Sequence, residues 1–160
     1  MNKNKSSKAL PCFVEIIKQL TADEAKLLSF FKHNHTLPIV NFGLRTNGNG
    51  TKFFMKKFTD LDKNVSCEQK KLITSYLDNL ERLGLIAIDF SHWFTDDKKY
   101  QHLLDNPYVT MFDDQFVKNK PDKSLAVDKG ILSLTDLGKL FTDICIQEAQ
   151  PIIVKPKQPE

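Results

Sequence analysis

Cysteine is scarce and scattered. Cys12, Cys67 and Cys145 are the 3 copies, an odd number at wide spacing with no C-x-x-C pair. That argues against a disulfide scaffold and against a zinc site of ordinary ligand spacing, and it fits a reduced compartment. Long apolar runs are absent too. None approaches the roughly 20 residues that span a bilayer. The polar start at 1–8 leads into a stretch that Glu15 and Lys18 interrupt, unlike a secretory leader. The expectation is a cytoplasmic chain that makes no use of a membrane.

Catalytic patterns are missing as well. Gly48 and Gly50 lack the Lys-Ser/Thr ending of a phosphate-binding loop. Ser75, Ser91 and Ser133 have no G-x-S-x-G setting. His33 and His35 do not combine with a cysteine at metal-ligand spacing. Asp96-Asp97 and Asp113-Asp114 are adjacent pairs. Adjacent side chains diverge on a helix or a strand, so they read as caps and solvated charge. The expectation is a non-enzyme with no metal and no cofactor.

What the chain does have is apolar patterning. Hydrophobic residues make up 41% and charged residues 27%, the balance of a folded chain, and Phe is heavily used with 12 copies. The net charge is +3, but Lys3, Lys5, Lys8, Lys155 and Lys157 all lie in the ends, so the body between them is close to neutral. Three parts emerge: a disordered basic tail at 1–10, one domain at 11–149, and a loose proline-rich tail at 150–160.

Within the domain, Pro11 opens a helix carrying Phe13, Ile16, Ile17 and Leu20. Thr21-Ala22-Asp23-Glu24 is a capping box for the next helix. Residues 37–44 read as a strand and 46–50 as a turn; 53–58 is either helix or loop. Ser66-Cys67-Glu68-Gln69 reads as a second capping box, opening a helix whose apolar stripe is Leu72, Ile73, Tyr76, Leu77, Leu80 and Leu83 and which stops at Gly84. A strand follows at 85–90. Leu125–Leu134 reads as a β-hairpin turning at Asp-Lys-Gly, and Thr135 caps a final helix.

That order is helix, helix, strand, helix, strand, hairpin, helix. It predicts an α+β fold of winged-helix character, a helical core with a small antiparallel sheet or hairpin wing and an insertion at about 91–124.

Three separated stretches carry a family resemblance: Pro11–Lys26, Ser75–Ile86 and Leu134–Ile146. They resemble, in order, the abortive-infection alpha family of bacterial phage-defence proteins. The resemblance implies a role in defence against phage and implies no reaction. Longer members of that family carry a further region ahead of this domain, where this sequence has a short lysine-rich stretch.

Two groups of residues stand out as candidate contact sites. Lys52, Lys56, Lys57, Lys70 and Lys71, with Ser75, Asn79 and Arg82 on the third helix, suit nucleic acid or another partner. Asp78 and Glu81 would oppose phosphates, and a solvated helix face with local ion pairs is the preferred reading. His92-Trp93-Phe94 is either an exposed aromatic patch or an anchor for the insertion, and the general burial of aromatics favours the anchor. The first reading of function is an interaction module that binds another protein. The alternative is a winged-helix DNA-binding regulator using Lys70, Lys71, Asn79 and Arg82.

Overall fold

The computed structural model describes residues 10–146. Among them are seven α-helices and four strands: α1 Cys12–Lys18, α2 Ala22–His33, β1 Thr36–Thr46, β2 Gly50–Phe58, α3 Leu61–Asn64, α4 Ile73–Arg82, β3 Ile86–Asp89, α5 Lys98–Leu104, α6 Pro107–Phe116, β4 Lys123–Leu134 and α7 Asp136–Cys145. The strands form one antiparallel sheet in the order β2-β1-β4-β3. The fold is therefore α+β. The disordered tails expected at 1–10 and 150–160 lie outside the described residues, except for Leu10.

The helices begin and end where local chemistry requires. Thr21 Oγ1 accepts from the Glu24 N–H at 3.2 Å and the Thr21 N–H donates to Glu24 Oε2 at 2.7 Å, which closes the capping box of α2. At the end of α4, Gly84 takes φ 74°, and the Leu85 N–H returns to the Leu80 carbonyl at 3.0 Å. Only a residue without Cβ enters that region at no cost. Thr135 caps α7 through the Gly138 N–H at 2.9 Å.

The sheet is covered on both faces. Ile39 and Val40 are neighbours on β1 that point to opposite sides, and both are fully buried. On one side Ile39, Ile86, Leu132 and Leu134 join Leu27, Phe31, Leu77, Leu80 and Phe141 of the helices in the main core. Phe13 meets Phe141 edge to face at 5.2 Å between ring centres. On the other side Val40 packs with Tyr100 and Leu103 of α5 in a smaller core. The 91–124 insertion thus folds into α5 and α6 and covers the second face.

Tyr100 is the pin of that layer. Its hydroxyl donates to the Gly130 carbonyl at 3.0 Å and accepts from the Phe94 N–H at 3.0 Å, with the ring fully buried. Tyr100→Phe leaves both backbone groups without this partner. We expect it to cost about 1–3 kcal/mol in urea unfolding with no change of fold.

Several expectations need correction. Residues 125–134 are one continuous strand and not a hairpin. Gly130 lies there because its neighbours come close: a Cβ would meet the Phe90 ring at 2.6 Å and the Asp89 carbonyl oxygen at 2.7 Å. Residues 53–58, read as helix or loop, belong to strand β2, with Lys52, Phe54 and Lys56 outward and Phe53 and Met55 inward. The second capping box does not form. Asp23 of α2 accepts the Glu68 and Gln69 N–H groups at 2.9 and 3.0 Å instead, and the helix opens later through a 3-10 turn at Lys70–Leu72. Leu72 accordingly leaves the apolar stripe and is exposed.

Candidate functional site

The basic residues singled out by sequence divide into two groups. Lys57, Asn79 and Arg82 are engaged within the chain. Lys57 Nζ donates to Asp78 Oδ1 at 2.6 Å and to Glu81 Oε2 at 2.8 Å. Burial alone would lower the Lys57 pKa, but these two carboxylates outweigh it and raise the value. Asn79 Nδ2 donates to Glu24 Oε1 at 2.7 Å, and Arg82 donates to Asn79 Oδ1 and Gln19 Oε1 at 2.7 and 2.9 Å. These contacts tie α4 to the α1–α2 corner. Ser75 is exposed on α4.

Lys52, Lys56, Lys70 and Lys71 form the second group. All four are exposed, and none is ion-paired among the described residues. Lys52 lies over the Phe54 ring at 5.4 Å. Lys56, Lys70 and Lys71 are brought together on the walls of a groove of ≈ 350 Å³ between β2, the opening of α4 and the start of α6.

A β-bulge shapes this groove. Val40 pairs with Phe58 and Phe42 with Met55, so Lys56 and Lys57 together face the single residue Asn41. Lys57 takes φ 54°, uncommon for a residue with a side chain. Its N–H donates to Asn41 Oδ1 at 2.9 Å, and Asn41 Nδ2 donates to Asp128 Oδ2 at 3.1 Å. The extra residue sends Lys57 towards Asp78 and Glu81 on α4, while its exposed neighbour Lys56 lines the groove. Met55, Phe58 and Ile73 give the groove an apolar lining, and Tyr108 of α6 stands at its edge, 63% exposed.

The aromatic triplet is split. His92 Nδ1 sits 2.6 Å from Asp89 Oδ2. That hydrogen bond, and then the Ser91 N–H, hold the Asp89 carboxyl below its usual range. Trp93 is 59% exposed, and Phe94 packs inward on Tyr100, with Lys99 4.0 Å above its ring. The paired carboxylates are used locally: Asp96 Oδ1 accepts from the Lys98 N–H, Asp97 from Lys129 and Asp114 from Lys118.

Sequence reading passed over a second aromatic feature. Tyr108, Phe112 and Phe116 recur at i, i+4 and i+8 along α6, the available signal. Phe112 lies 5.4 Å from Phe54 and 5.0 Å from Phe116, ring centre to ring centre. Phe54, Met111 and Phe116 are left exposed on the outside.

The family model described as abortive infection alpha matches residues 1–145. The chain belongs to that family. Of solved structures, it is similar to that of an uncharacterized protein from the hydrocarbon-degrading marine bacterium Alcanivorax borkumensis SK2, with a TM-score of 0.51, 14% identity, and coverage of 89% of this chain and 94% of that one. At that identity the likeness concerns the fold alone. No curated protein matches the chain. Among the described residues of this family member, no helix is long and apolar enough to cross a membrane.

Proposed function

We propose that this abortive infection alpha protein is a non-enzymatic, winged-helix-like interaction module that acts in the bacterial cytoplasm during phage infection. It docks a protein partner on the outer face of β2 and α6. The observation that supports this is exposed Phe54 and Phe116, bridged by Phe112, with exposed Met111 on the same helix. Grouped exposed apolar side chains on a folded surface mark interaction sites, and aromatic anchors of this kind dominate binding energy. Lys52 and Lys120, each lying over one of these rings, give the patch a cationic rim. The winged-helix comparison rests on α1 and α2 packing with α4 in one core, and on β3 and β4 pairing on either side of the insertion before α7 follows at once.

The test is protection of a bacterial host. Cells expressing the chain should yield fewer plaques on phage challenge than cells without it. A Met111→Glu/Phe116→Glu double variant should keep its thermal midpoint and lose the protection, because truncating or charging central anchors costs at least about 2 kcal/mol, roughly 30-fold in affinity. Unchanged plaque counts with the wild-type chain would remove the defence role. Protection by the double variant would remove this docking face.

A further inference from the structure

We infer that the groove between β2, the opening of α4 and the start of α6 binds a nucleotide, either free or as part of a single strand. This goes beyond the protein-docking reading and does not depend on it, since the residues differ. Its ≈ 350 Å³ falls within the range of small-ligand sites, roughly 300–1,000 Å³.

Charge defines one half of the ligand. Lys56 arrives from β2, and Lys70 and Lys71 from the turn before α4. The one acidic residue on the lining is Asp62. Asp78 and Glu81 on α4 are taken by Lys57. Three unpaired lysines around one groove favour an anionic ligand there. A sulfate-sized or phosphate-sized group satisfies them.

The lining defines the other half. Met55, Phe58 and Ile73 supply apolar surface that an inorganic anion or a polyacidic peptide leaves uncovered. Tyr108 presents an exposed ring at the edge, and its backbone is held by Asn106 Oδ1, which accepts from the Tyr108 N–H at 3.0 Å. A cationic wall with an aromatic platform is how proteins hold a phosphate together with the flat base attached to it. Thr59 and Thr74 add hydroxyls suited to a sugar or phosphate oxygen. One ligand chemistry uses every part of this set: phosphate, sugar and base.

The experiment is titration of the full chain, followed by calorimetry and by anisotropy, with defined probes. These are single-stranded DNA and RNA of about 12 nucleotides, the four nucleoside monophosphates, inorganic phosphate and polyglutamate. Binding of an oligonucleotide or a monophosphate, weakened roughly tenfold or more by Tyr108→Ala, supports the inference. Binding by the monophosphate assigns the free ligand; binding by the oligonucleotide alone assigns the strand. In the strand case the triple variant Lys56→Gln/Lys70→Gln/Lys71→Gln should flatten the slope of log affinity against log salt by about 2. All four positions are exposed, so circular dichroism should be unchanged in the variants. Polyglutamate or phosphate binding as well as any nucleotide, with no effect of Tyr108→Ala, overturns the inference in favour of charge alone. No binding of any probe at low salt overturns it outright.

Discussion

Gly138→Ala is expected to destabilise the chain by about 3 kcal/mol, a large part of the total stability of a domain this size. Helix propensity predicts the opposite sign, because Ala in place of Gly inside a helix stabilises by about 1 kcal/mol. Packing decides the outcome. A Cβ at Gly138 would stand 1.9 Å from the Leu85 carbonyl oxygen, 2.9 Å from its carbon and 3.1 Å from Leu134 Cδ2. The Leu85 carbonyl cannot yield easily. It accepts from the Thr135 N–H at 3.1 Å and from Thr135 Oγ1 at 3.2 Å, while the same hydroxyl reaches the Gly84 carbonyl at 2.6 Å. Relief of the clash must therefore prise α7 from the α4–β3 turn, and Phe141, buried against Phe13, moves with it. Urea midpoints for the two chains measure the difference. A variant as stable as the wild type would show that α7 does not sit this close.

Asp23→Ala is the second large effect, and it carries a pH signature. The Asp23 carboxylate is 5% exposed and accepts from the Glu68 and Gln69 N–H groups, from Lys26 Nζ at 3.0 Å and from the Tyr76 hydroxyl at 3.3 Å. The Gln69 and Glu68 N–H groups are the main reason its pKa falls far below the ordinary carboxylate value. A carboxyl whose pKa is lowered by folding contributes stability in full above its unfolded value, and loses that contribution as pH falls towards the folded value. The wild-type chain should therefore lose stability steeply below about pH 4. Asp23→Ala should melt well below the wild type at neutral pH, with a gap that narrows in acid. Thermal midpoints at about pH 7 and pH 3 test this. A gap that stays constant with pH would mean that the charge on Asp23 does not hold the 68–69 segment.

The same carboxylate explains one limit of reading this sequence. Ser66-Cys67-Glu68-Gln69 has the composition of a capping box, and so does Thr21-Ala22-Asp23-Glu24. Only the Thr21 box forms. Asp23, more than 40 residues away in sequence, takes the N–H groups that a Ser66 cap would have used. Local pattern cannot register a competitor that arrives through tertiary structure. Gly130 misleads in a similar way. After Asp128 and Lys129 it has the look of a turn, yet the ring of Phe90 packed against it is what calls for a glycine. In β2 the alternation of Lys52, Phe54 and Lys56 with Phe53 and Met55 is legible, but the bulge at Lys56-Lys57 breaks the period before it becomes decisive.

What depended on neighbours in sequence was readable: the Thr21 and Thr135 caps, the stop at Gly84 and the buried stripe from Ile73 to Leu80. For the candidate site, the lysines could be named but not sorted. Asp78 and Glu81 were visible as acids on the third helix. That they would claim Lys57 and not its neighbour Lys56 follows from the bulge, which sequence does not display.

Housing two separate cores on one sheet has a mechanical consequence. The layer of α5 and α6 rests on a small cluster around Val40, Tyr100 and Leu103 and, for α6, on Val109 and on Phe112 against Phe42, whereas the other helices share a much larger one. Segments held by fewer buried groups open first, without rupture of the rest. The groove has one wall on each side of that divide: Tyr108 belongs to the lightly anchored layer, and Ile73 to the firmly anchored body. A molecule that grips both walls acts as a clasp, and the energy it gains is returned as rigidity in the part of the protein most free to lift away.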